Sequence, residues 1–309
     1  MDNDPQLARK VYTRLASRLK ENGTGAALLF GTIKPDTKFV KLHCIVVEGL
    51  PPTSLILAEC MNNAGLRGFV GKLSMDQLSS PTYIEASAAS AILSAKAFAE
   101  TMTATYPSPA LVEPVITPRF VPTCSDTLLC GLGELAASHE LRIQSHLAES
   151  HDQVAAVLAE RGIDDIDVFE RSKLLTSRTV QAHCTFLDAP SLSRLHASGT
   201  AVAHCPLSNA YFSAEPFRLR EALDLNVKVG LGTDVAGGYS LDIMNSMRQA
   251  VAVSRMRQGT NIMKLESDRS LAIDWVESLY LATRGGAKAL GLLTGIFEVG
   301  APFDAQESE

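Results

Sequence analysis

The sequence predicts an α/β protein, a TIM-like (β/α) barrel, on three observations. Short apolar runs alternate with stretches of helical spacing along most of the chain, a pattern that implies a parallel sheet with right-handed crossovers. Polar residues stand at or just past the C-terminal ends of successive apolar runs: Arg119, His146 with Glu149, His183, His204 and Asp234. In a β/α barrel those ends converge on one mouth, where the chemistry sits. A chain of 309 residues, 46% hydrophobic and 20% charged, is long enough to bury a core of that size.

Asn3 or Asp4 caps a first helix that starts at Pro5 and stops at Asn22-Gly23 after about Glu21. Thr24 to Phe30 is an apolar run of the kind a parallel sheet buries on both faces. Residues 34–52, with KLHCIVVEGLPP, break the rhythm and read as an insertion. A helix over Thr53 to Ala64 leads to a strand over Arg67 to Leu73. A long Ala-rich helix from about Pro81 to Thr105 precedes a strand over Leu111 to Thr117, which ends in Pro118-Arg119-Phe120. Ser125 caps a helix to about His139, and Leu141 to Leu147 is the strand that delivers His146.

Ser150 caps the next helix, to about Arg161, and Ile163 to Leu175 reads as a loop with a helical turn. Thr179 to Cys184 is a strand, Pro190 to Ala197 a helix, and Thr200 to Cys205 a strand running into PLSNAYF. A short helix near Glu215 to Leu225 precedes the strand Val227 to Thr233, which terminates in Asp234. Two further helices are expected over Leu241 to Gln258 and Leu271 to Leu290. That makes about seven strands, one fewer than a closed barrel needs.

The net charge of −6, from 28 basic and 34 acidic residues, comes without a basic stripe, so no nucleic-acid partner is expected. No apolar run is of membrane-spanning length, and no membrane partner is expected. The N-terminal MDNDPQLARKVYTRL has no apolar signal-peptide core, and six cysteines in a chain this long do not look like a disulfide framework, so a reducing cytosol is the default. Three of the six cysteines directly follow a histidine, yet no Cys-x-x-Cys spacing supports a thiolate zinc site. They read as small buried residues. His139, His151 and His196 fall on helices and read as solvated.

Imidazole and carboxylate together at strand ends suit a borderline divalent ion such as zinc, with a neighbouring carboxylate to take a proton from water. A lone strand-end histidine is usually structural; three of them with an aspartate favour a site. His204 is the least secure, since Cys205-Pro206 and Ser208-Asn209 also suit a turn network. Arg119 also fits a salt-bridged surface residue. Asp234 precedes a glycine pair that would let backbone approach a ligand closely.

The segments ITPRFVPTCS, QSHLAES, AHC at 182–184, AHCPLSN and GLGTDVAGGYS resemble the amidohydrolase superfamily, and within it the guanine deaminase branch. The resemblance implies one zinc ion, with His146 and Asp234 as ligands and Asp234 accepting a proton from the attacking water. It implies that Glu149 carries a proton to the purine ring nitrogen beside the reacting carbon. His183 would hydrogen-bond the attacking oxygen as the tetrahedral intermediate forms. Arg119 and Phe120 would grip the purine by its polar edge and ring face, and His146, Glu149 and Asp234 would also line the substrate site. The implied reaction converts guanine and water to xanthine and ammonia, and the implied assembly is a homodimer.

The superfamily also carries a His-x-His pair on its first barrel strand, both histidines binding the metal, and this sequence has none. The expectation is a single amidohydrolase-type barrel domain over 1–309, incomplete at both ends and lacking the first strand and the small β-sandwich. A catalytically impaired, purine-binding paralogue is one alternative. An amidohydrolase acting on a triazine-like ring is another. His43 as a replacement ligand ranks last, because one histidine cannot stand for two.

Overall fold

Asp4 caps helix α1 (Pro5–Glu21): its Oδ1 accepts the Leu7 N–H at 2.9 Å, and Pro5 fills the first-turn position that needs no donor. A computed structural model describes residues 4–33, 53–263, 270–302 and 304. The chain divides into two compact units, Met1–Gln144 and Ser145–Glu309. The expected insertion at 34–52, with His43, lies outside the described residues.

In the first unit, β1 (Ala26–Phe30) pairs in parallel with β2 (Arg67–Ser74), and β2 with β3 (Val112–Pro118). The start of β4 (Arg142–Leu147) continues the order, with Val115 opposite Arg142 and Ile116 opposite Ile143. Helices α2 (Thr53–Asn63), α3 (Ala88–Thr105) and α4 (Asp126–Ser138) supply the crossovers. Met61, Met102, Leu128, Leu129 and Leu132 from these helices are fully buried. Each of the three leucines contributes about 1.5–3 kcal/mol through the water it sheds.

The same-face residues of adjacent strands interlock. Gln144 donates its amide to Leu29 O at 3.0 Å and to Thr117 Oγ1 at 2.9 Å. A Cβ on Gly71 would overlap both Thr117 Oγ1 and the Gln144 amide, so this strand position admits only hydrogen.

On β2, Lys72 is 2% exposed and paired with Glu85. Glu85 Oε2 also accepts the Met75 N–H at 3.3 Å, and its own N–H donates to Met75 O at 3.0 Å. Burial lowers the Lys72 pKa and raises that of Glu85. This pair explains why α3 begins at Ala88 and not near Pro81: the segment before the Ser87 cap is a turn that carries Glu85 back to Lys72. Lys72→Met alone should cost about 3–5 kcal/mol in urea denaturation, by stranding Glu85, whereas Lys72→Met with Glu85→Leu should be near neutral. A single variant no less stable than the double would refute this account.

In the second unit, β5 (Thr179–His183) pairs in parallel with β6 (Ala201–His204), and β6 with β7 (Lys228–Leu231). Around them stand α5 (His151–Arg161), α6 (Asp165–Arg171) and α7 (Ala189–Ser198), with α8 (Pro206–Phe212), α9 (Leu219–Asp224) and α10 (Ile243–Met263). The expected loop over 163–175 contains α6, and PLSNAYF is the helix α8. The helix expected from Leu271 starts later. Asp274 caps α11 (Trp275–Tyr280), and a π-turn over Leu281–Gly285 joins it to α12 (Gly286–Ala289). Seven strands stand among the described residues, the number expected. None of the described helices is long and apolar enough to cross a membrane.

Candidate active site

Three strand ends of the second unit hold backbone in the left-handed region that side chains resist. Ala148 (φ 46°) follows β4, His183 (φ 69°) and Cys184 (φ 55°) end β5, and Asp234 (φ 49°) follows β7. Each such residue costs about 1–3 kcal/mol, so the surrounding structure must impose it. At Ala148 the restraint is Asp165 of α6, whose Oδ2 accepts the Ala148 N–H at 3.1 Å and the Gln153 amide at 2.5 Å. Burial raises the Asp165 pKa against these donors. The end of β5 is tied by the Cys184 N–H to Leu147 O, 2.9 Å, and by the Phe186 N–H to Ala148 O, 3.2 Å.

These restraints gather His146, Glu149 and His183. The two imidazoles stack with centroids 5.4 Å apart and planes at 16°. His183 Nε2 lies 3.6 Å from Glu149 Oε1, beyond hydrogen-bond reach, and is a buried atom with no hydrogen-bond partner. His183 is 1% exposed, whereas His146, Glu149 and Asp234 are half-buried. Burial first, then the charges of Asp234 and Glu149, drive the Cys205 thiol pKa well up. Asp234 itself sits in a cradle of glycine. The Gly238 N–H donates to its carbonyl at 2.5 Å, and a Cβ on Gly237 would lie 2.5 Å from Asp234 Oδ2. The glycine pair thus closes on Asp234.

His204 is buried beside this group, with its ring 5.2 Å from Phe217 and its Nδ1 without a hydrogen-bond partner. Burial, reinforced by the neighbouring His183, pushes its pKa down to about 3. A cavity of about 10 Å³, the space of one water centre, lies between His204, Phe217, Ser254 and Arg257. The turn network expected around His204 serves His183 instead, through Asn209: Nδ1 of His183 meets Asn209 Oδ1 at 2.9 Å.

Arg119 and Phe120 belong to the first unit. Both are half-buried at the end of β3, with the guanidinium 5.1 Å from the Phe120 ring centroid. The Arg119 N–H donates to Ser74 O at 3.1 Å. The loop that follows is fixed by Asp76, which accepts the Ser125 N–H at 2.8 Å and its hydroxyl at 2.6 Å. Asp76 and Asp165 carry no signal in the sequence because they restrain backbone far from them in the chain, at Ser125 and Ala148, whereas Asn209 stood out only as part of a turn network. Only the spacing of AHCPLSN offered a signal, for Asn209.

Among the described residues, no three His, Cys, Asp or Glu side chains are gathered to share one metal ion. His146 and Asp234 therefore fall short of the three protein ligands a catalytic zinc takes. His139, His151 and His196 are exposed, as expected. Cys60, Cys124, Cys184 and Cys205 are buried, but Cys130 is exposed on α4.

The amidohydrolase family model matches residues 2–306. The chain belongs to the amidohydrolase family. It is 38% identical over 304 residues to the guanine deaminase of Mus musculus, and 30% over 306 residues to that of Escherichia coli K12. Both alignments cover 97% of this chain but 62% of the relative, so the chain spans about three-fifths of their length. Among solved structures, guanine deaminase from C. acetobutylicum with bound guanine in the active site superposes with a TM-score of 0.81 at 26% identity. That match covers 96% of this amidohydrolase chain and 65% of the other. The architecture is that of the TIM-like barrel expected for the family.

Proposed function

We propose that this amidohydrolase deaminates guanine, releasing xanthine and ammonia. The reading is carried by the meeting of His146, Glu149 and His183 at the ends of β4 and β5, in a chain similar to guanine deaminases along 97% of its length. Arg119 and Phe120 take the purine, a planar base with a polar edge, through guanidinium hydrogen bonds and ring stacking. Asp234 takes a proton from the attacking water, and Glu149 delivers one to the ring nitrogen beside the reacting carbon. His183 accepts a hydrogen bond from the adding oxygen through Nε2. Of the water's two protons, one ends on the ring nitrogen and the other on the departing amine, and the C–N bond breaks as the C=O bond forms.

Members of the family generally use a zinc ion, which lowers the pKa of water. His146 and Asp234 are the residues of this chain assigned to it. Among the described residues these two do not complete such a site. A cytoplasmic location and a homodimer belong to the same proposal.

The test is to supply the purified chain with zinc and guanine and to follow xanthine absorbance and ammonia. Equal release of both upholds the proposal. Folded protein that binds guanine without turning it over would make it a purine-binding paralogue instead.

A further inference from the structure

One short helix reaches both His183 and Glu149. Asn209 lies on α8, and Ser213 is its C-cap, whose N–H donates to Asn209 O at 2.9 Å. Four residues apart, the two side chains share a helix face. Asn209, 2% exposed, presents Oδ1 to His183 Nδ1 at 2.9 Å. Ser213 donates its hydroxyl to the backbone carbonyl of Glu149. A side-chain amide oxygen only accepts, so the imidazole proton must reside on Nδ1, which leaves a lone pair on Nε2. Nε2 is the His183 atom that is buried, has no hydrogen-bond partner and lies 3.6 Å from Glu149 Oε1.

We propose that the Asn209–Ser213 face of α8 is a positioning device for the His183–Glu149 pair. Asn209 selects the Nδ1–H tautomer, and Ser213 fixes the Glu149 backbone so that its carboxyl faces the Nε2 lone pair. The assignment rests on the deaminase reading for its catalytic consequence, but not for the tautomer.

The experiment therefore reads both. With histidine ring nitrogens labelled with ¹⁵N in the full chain, two-bond ¹H–¹⁵N correlations report the tautomer, and the His183 signals are assigned by their loss in His183→Gln. Wild type should show a protonated Nδ1 and a bare Nε2 at His183. Asn209→Ala should give a tautomer mixture and lower kcat about 10–100-fold with little change in KM, the scale typical of a lost orienting partner. Asn209→Asp, which keeps the acceptor, should restore Nδ1–H. Ser213→Ala should keep the tautomer and lower kcat about tenfold. A wild-type His183 protonated on Nε2, or an Asn209→Ala variant with unchanged tautomer, overturns the proposal. Absence of guanine turnover in wild type would sink the deaminase reading while the tautomer result still decides this one.

Discussion

Asp234→Asn is expected to lower kcat for guanine deamination by about 10²–10⁴-fold, the range for losing a general base. Asparagine matches aspartate in shape and tolerates the left-handed backbone at this position, φ 49°. It also fits the space beside Gly237, where a Cβ would stand 2.5 Å from Oδ2. It removes the capacity to take a proton from water and the negative charge that Asp234 would offer the ion. The loss should therefore fall on kcat, with KM changed little. Arg119→Ala should do the opposite, raising KM through lost grip on the purine edge. Steady-state kinetics on the two variants separates the roles. An Asp234→Asn enzyme with near-wild-type kcat would remove Asp234 from the chemistry.

The second large effect concerns stability, and centres on His204. Its pKa falls from 6.5 to about 3 on folding, because burial and the neighbouring His183 disfavour its charged form. The unfolded chain thus binds a proton that the folded chain refuses. The contribution of neutral His204 is complete above pH 6.5 and is lost as pH falls toward 3. Over that whole interval the linkage is on the order of 5 kcal/mol, an upper figure for a fully buried ring. Thermal unfolding of wild type should therefore weaken on acidification more steeply than that of His204→Gln, which has nothing to protonate. The difference between the two curves cancels the carboxylates common to both. Parallel curves between pH 6.5 and about pH 4 would show that His204 is not held neutral by the fold.

Strand and helix order were legible because a half-buried helix and a doubly buried strand leave different periodicities in the chain. His146, Glu149 and His183 were legible because each ends an apolar run, and parallel strands bring such ends together. The differences have separate causes, one long-range and two local. The helix expected from Pro81 starts at Ala88 because Glu85 is drawn to Lys72 across the first unit. PLSNAYF, given no element by the sequence, forms α8, its first turn closed by the Asn209 N–H to Cys205 O bond at 2.9 Å. The helix expected from Leu271 begins only where Asp274 and Glu277 form a capping box.

Alone, then, the sequence determined the α/β class, the strand order and the residue types delivered to the strand ends. Those follow from local periodicity and from the handedness of the crossovers, which act over a few tens of residues. The tertiary structure decided which side chains restrain them: Asp165 on Ala148, Asn209 on His183, Ser213 on Glu149 and Asp76 on Ser125. Such pairings join residues 17–64 positions apart. They depend on where folded elements come to rest, and no local pattern in the chain encodes that.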